Sequence, residues 1–148
     1  MIKSFEQFKN NYITYEIKNN DIVFKNNEGD VGQMTYNVAY VDDILSEYND
    51  SVEDFDESIV KKFNYNKPIV NIEDVWVYKE FRGQNLFRNI LDRGLKILTA
   101  KYEQFILRAC SDNGFPEDKL VDIYRDFGFV TCQETEYDGT IMVLIYKK

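Results

Sequence analysis

Histidine is absent from all 148 residues. That excludes Ser–His and Cys–His nucleophile pairs, histidine general bases and histidine metal ligands. Cysteine occurs only at Cys110 and Cys132, too few for a disulfide framework. Both fall in apolar, β-forming stretches, where a free cysteine behaves as a small buried hydrophobe. Neither stands beside a base or at a helix start, so neither is read as a nucleophile. No apolar run approaches the roughly 18 residues that a bilayer span requires. Met1-Ile2-Lys3-Ser4-Phe5-Glu6 lacks the apolar core of a secretory signal. The expected setting is cytoplasmic, away from membranes.

Positive charge is scarce where the chain begins. Residues 1–60 hold 13 acidic and 4 basic side chains, and residues 61–148 hold 13 and 14, for a net charge of −8. Such a chain lacks the basic footprint that nucleic acids and anionic lipids require. Residues 42–57 concentrate the imbalance, with eight acids and no Lys or Arg. This stretch reads either as a solvated loop or short helix packed by Ile44, Leu45, Tyr48, Val52 and Phe55, or as a contact surface for a basic partner.

What the chain does hold is apolar and aromatic material. Apolar residues make up 44% of it and aromatics 16%, and a chain of this length buries roughly 70% of its surface on folding. With no repeat and no low-complexity linker, residues 1–148 read as one domain. Tyr12–Ile17, Ile22–Phe24 and Val31–Val38 are β-branched or aromatic runs separated by Asn- and Gly-rich turns, an antiparallel meander. Ile69–Val77 restarts strand character. Leu86, Phe87, Ile90, Leu91, Leu95 and Leu98 recur at helical spacing, and Gly94 inside that pattern marks a close contact. Phe105–Cys110 is a further strand, so strand, helix and strand form a right-handed parallel crossover. Pro116 suits the first turn of a helix over Glu117–Phe127 that Gly128 ends. Two closing strands flank the turn signal Asp138-Gly139. The fold class is α/β of mixed type, with a central, mostly antiparallel sheet of six to seven strands flanked by helices and one βαβ crossover.

The chemistry concentrates where the strand ending at Val77 runs into the long helix. Unpaired amides and the positive dipole end of a helix start can hold an anion when the preceding loop curls over them. Arg82-Gly83-Gln84-Asn85 supplies a guanidinium, a flexible point and amides. The same four residues also read as a tight turn, a solvated charge and an ordinary cap. Glu73 and Asp74 precede this loop on the strand and point to opposite faces, one toward the core side and one toward the solvent or site side. A carboxylate there can serve as a general base or simply lie on the surface. Tyr124 can present a phenol to a cleft as a general acid, or pack in the core with its tip in water.

Three stretches together resemble the GNAT superfamily of acyl-CoA-dependent N-acyltransferases. They are Val31-Gly32-Gln33-Met34, the run Val75 to Phe87, and Ile123-Tyr124-Arg125-Asp126-Phe127-Gly128-Phe129. The resemblance runs from about Val31 to the C-terminus. Arg82 matches the first position of the family's pyrophosphate motif, and Gly83 its usual Arg-Gly start. Asn85 stands where the family has its first glycine, Phe87 where it has a final small residue, and Glu117 where it often has Asn. The resemblance implies acetyl-CoA as cofactor, held by Val75, Val77, Arg82, Gly83, Gln84, Asn85, Leu86 and Phe87 between two splayed parallel strands. It implies direct attack of a primary amine, of a small molecule or a protein, on the thioester. Glu73 would be the base, with Asp74 second, and Tyr124 the acid toward the departing thiolate. No metal is implied, and the chain would be a monomer or homodimer. Because Asn85 and Phe87 depart from the motif, the alternative is an inactive protein of the same fold that binds or inhibits a partner through residues 42–57.

Overall fold

In the computed structural model, residues 13–48, 55–81, 86–110, 116–134 and 139–146 are described. Their element order is β1 (Thr14–Lys18), β2 (Asp21–Asn26), β3 (Gly29–Tyr40), α1 (Val41–Tyr48), α2 (Glu57–Val60) and β4 (Pro68–Val77). A 3-10 turn (Lys79–Phe81) follows, then α3 (Leu86–Thr99), β5 (Gln104–Ala109), α4 (Glu117–Asp126), β6 (Val130–Glu134) and β7 (Thr140–Ile145). The strands form one sheet in the order β1-β2-β3-β4-β5-β7-β6. The β4–β5 pair is parallel, whereas β1–β2, β2–β3, β5–β7 and β6–β7 are antiparallel. The upper end of the expected strand count is reached, with the crossover where the apolar spacing put it. Contacts divide the chain into two compact units, the described parts of Met1–Tyr36 with Asp74–Lys96, and of Asn37–Glu73 with Ile97–Lys148.

The first unit grows from its turns. Asn19 at φ 55° closes the two-residue hairpin between β1 and β2, a left-handed position that asparagine tolerates better than most residues. Gly29 at φ 127° returns the chain into β3. Ile22, Phe24, Val31 and Met34 are buried. Gly94 is the close contact that its place in the helical pattern implied: a Cβ there would collide with Met34 Cε and lie 2.7 Å from its Sδ. Gly32 is tighter still, since a Cβ would meet Ile90 Cδ1 and lie 2.6 Å from the Trp76 carbonyl. The backbone of β4 and the flank of α3 both crowd that one position. Arg93 Nε donates to Asn89 Oδ1 at 2.7 Å, and its Nη1 donates to the Ile13 carbonyl at 3.3 Å.

In the second unit, β4 and β5 pair through Val70↔Phe105, Asn71↔Ile106 and Ile72↔Leu107. The core gathers Val41, Ile44 and Tyr48 of α1 with Phe63, Ile69, Ile106, Cys132, Ile141 and Val143. The spacing 41, 44, 48 is one helical face, and Asp42 and Asp43 stand on the exposed one. The acidic stretch therefore begins as an amphipathic helix held by its few apolar side chains, and residues 49–54 lie outside the described residues. Gln104, 2% exposed, clamps the loop before β4. Its Nε2 donates to the carbonyls of Asn64, Lys67 and Pro68, and its Oε1 accepts from the Asn64 N–H. A buried amide is kept stable by such full pairing.

Three expectations are corrected. Cys110 is exposed and lies just beyond β5, which stops at Ala109, while Cys132 is buried in β6 as expected; both are free thiols. Pro116 is the N-cap of α4 rather than its first helical residue, and makes no side-chain cap bond. Glu73 and Asp74 are both exposed, so neither faces a core. The hairpin signal at Asp138 lies outside the described residues, with Gly139 following at φ 83°.

Candidate active site

Period-two alternation on β4 sets Asn71 and Glu73 on one side of the strand. Asn71 is buried, and its Oδ1 accepts a 2.6 Å hydrogen bond from the Tyr48 hydroxyl. Its Nδ2 donates to Asn37 Oδ1 at 3.1 Å. Thus α1, the end of β3 and the middle of β4 are tied through one amide. Arg108 of β5 places its guanidinium carbon 5.2 Å from the centre of the Tyr48 ring, a cation–π geometry. Burial pushes the Tyr48 phenol up to about 12. The Arg108 charge opposes that rise, and Glu47 and Glu73 add to it. The Tyr48 hydroxyl is therefore a fixed donor at neutral pH.

The β4–β5 ladder has Ile72↔Leu107 as its last pair, although β4 runs on to Val77 and β5 to Ala109. Glu73 is the first residue of β4 beyond that pair. It is exposed, and its charge acts on the Tyr48 phenol. Tyr124 lies in the last turns of α4, 5% exposed, with its ring edge-on to Phe129 at 5.8 Å between centroids. Its carbonyl accepts from the N–H groups of Phe127 and Phe129 at 3.0 and 3.2 Å, which wraps the end of α4 around Gly128 at φ 99°.

In the first unit, Val75 is half-buried and Val77 buried at the end of β4. The Tyr78 N–H donates to the Val31 carbonyl at 2.9 Å, and Trp76 meets Tyr78 edge-on at 4.5 Å. Leu86 is buried and Phe87 half-buried where α3 opens. Arg82, Gly83, Gln84 and Asn85 lie outside the described residues. The opening of α3 carries no acidic residue in its first turn. The first turns of α1, α2 and α4 hold Asp42 and Asp43, Glu57, and Glu117 and Asp118. Acids there offset the positive end of a helix, and α3 differs from those three in having none.

Sequence reasoning named Glu73 and Tyr124 but missed Tyr48, Asn71 and Arg108. The available signal was a polar residue inside each of two apolar strand runs, Ile69-Val70-Asn71-Ile72 and Phe105-Ile106-Leu107-Arg108-Ala109. A buried polar group is the more informative exception in such a run.

These features define a class of mixed α/β proteins whose sheet is antiparallel except at one strand–helix–strand crossover. Solved structures of that class match the chain at low identity. An acetyltransferase of the GNAT family from Streptococcus agalactiae superposes with a TM-score of 0.59 at 15% identity, covering 99% of this chain and 72% of that one. Arylalkylamine N-acetyltransferase 2 from Aedes aegypti gives 0.55 at 17%, covering 87% and 74%. A NatC complex bound to Gag peptide and CoA gives 0.54 at 11%, covering 100% and 80%. In two further matches the chain spans 66% of the longer partner. No family model and no curated protein matches the sequence. The chain has the fold of these GNAT acetyltransferase structures.

Proposed function

We propose that the chain, as a single domain over residues 1–148, transfers an acetyl group from acetyl-CoA to a primary amine of a small molecule or protein. The observation that carries this reading is the crossover itself: parallel β4 and β5 joined through α3, whose first turn is free of acids. The structural neighbours add the fold, and two of them are named for N-acetyl transfer to arylalkylamines and for CoA binding.

Acetyl-CoA, when bound, supplies an activated thioester. Val75, Val77 and the Arg82–Phe87 segment would hold it. Glu73 takes the proton of the attacking amine at a carboxylate oxygen, directly or through water, as the new N–C bond forms. Tyr124 gives its hydroxyl proton to the sulfur as the C–S bond breaks. Protons and electron pairs then balance, and the chain ends each turnover with Glu73 to be deprotonated and Tyr124 to be reprotonated by solvent.

Titration calorimetry with acetyl-CoA and with CoA tests the reading. Saturable binding of both, weakened in Arg82→Ala, is expected. No heat at millimolar acetyl-CoA overturns it and leaves the inactive, partner-binding alternative.

A further inference from the structure

β1 is one edge of the sheet, and all five of its residues are exposed. Tyr15 is 53% and Ile17 48% exposed on one side of the strand, while Thr14, Glu16 and Lys18 alternate onto the other. Among the described residues no strand pairs with its outer side, and such an edge is a template for another strand. Its hydrogen-bonding phase can be read from the hairpin. Lys18↔Asp21 closes a two-residue turn, and such a closing pair exchanges both of its bonds across the hairpin. Alternation then points the N–H and C=O groups of Glu16 and Thr14 toward β2, and those of Ile17 and Tyr15 outward.

We propose that β1 pairs antiparallel with β1 of a second copy of this chain, about a two-fold axis through Ile17. The axis is selected by charge. With Ile17 opposite Ile17, each Glu16 faces the other copy's Lys18, twice by symmetry. An axis through Glu16 would instead set two carboxylates against each other. The Ile17 register also meets the phase of the edge: the outward-pointing Ile17 groups form a bonded pair, and Glu16 and Lys18 fall at the non-bonded positions where side chains approach most closely. Within one chain, Glu16 already accepts from Lys25 at 2.7 Å and lies 3.8 Å from Lys18. The carboxylate is thus oriented on the face where the second Lys18 arrives. A five-residue edge buries less than the ~1,200 Å² of a tight interface, so the dimer is weak and concentration-dependent.

Sedimentation velocity on the full chain, from micromolar to near-millimolar concentration, tests this. The mass is expected to rise from 17.6 kDa toward twice that value. Lys18→Glu should raise the midpoint concentration roughly tenfold, because two attractive pairs become repulsive. The double variant Glu16→Lys/Lys18→Glu, which swaps the charges, should return most of the affinity. Ile17→Pro should abolish dimers while far-UV circular dichroism stays unchanged, since its lost N–H points away from β2. A single 17.6 kDa species at every concentration overturns the proposal. So does a dimer that Lys18→Glu leaves untouched, or a charge swap that fails to restore it.

Discussion

Tyr48 and Tyr124 are both buried phenols of the second unit, and they are held in opposite ways. Tyr48 ends its hydroxyl on the amide of Asn71, beneath the Arg108 guanidinium and within the field of Glu47 and Glu73. Tyr124 is set by its ring against Phe129 and by its carbonyl, which terminates α4. A buried phenol that donates to an amide and is pushed up to about 12 is a structural donor that keeps its proton at neutral pH. Tyr48 therefore has an architectural task, and the acid role proposed for Tyr124 is a matter for experiment.

The largest effect that would break this contrast is on turnover. Tyr124→Phe should lower kcat roughly 10²-fold or more, the usual scale for a lost general acid, with acetyl-CoA affinity unchanged by calorimetry. Equal turnover would remove Tyr124 from the acid role.

Next comes the pH dependence that Tyr48 confers. Its folded value of about 12 lies above the ordinary 10.0. Below pH 10 the phenol is protonated in both states, and its contribution is complete. Between pH 10 and 12 the unfolded chain loses this proton while the folded chain keeps it, so stability falls as pH rises, by up to about 3 kcal/mol. Urea unfolding at stepped pH should show that fall in the native sequence and a shallower one in Tyr48→Phe.

At neutral pH, Tyr48→Phe keeps the ring in the core and takes the donor from Asn71 Oδ1. The expected cost is about 1–3 kcal/mol, read from the urea midpoint with an unchanged slope. The smallest effect sharpens the comparison electrostatically. Glu73 adds to the upward push on Tyr48, so Glu73→Gln should move that phenol's ultraviolet titration downward.

Much of the architecture was legible because it is local. The spacing of Leu86, Ile90, Leu91, Leu95 and Leu98 identified α3 with its observed bounds. Gly94 in mid-helix signalled the Met34 side chain pressed against it. The hairpin and bend at Asn19-Asn20 and Gly29 follow from turn chemistry. Cys110 was misread because a strand's last residue cannot be located from its composition: β5 ends one position earlier, and the thiol meets solvent. Glu73 and Asp74 were expected on opposite faces with one turned inward, but alternation alone does not say whether either face of a strand end is covered.

The Tyr48–Asn71–Asn37 network illustrates what local patterns omit. Tyr48 and Asn71 are 23 residues apart, and Asn71 and Asn37 are 34 apart. Arg108 reaches the same ring from another strand. Nothing in the spacing within any one element brings them together.

The amino-acid order by itself determined the succession of strands and helices, the crossover at α3 and the absence of histidine chemistry, because each depends on short-range periodicity or on composition. Tertiary structure alone decided which polar side chains are buried together, which carboxylates remain in water and which strand is left at the sheet's edge. Those outcomes depend on strand register and helix docking, where hydrogen bonds and charges separated by tens of residues are satisfied at once.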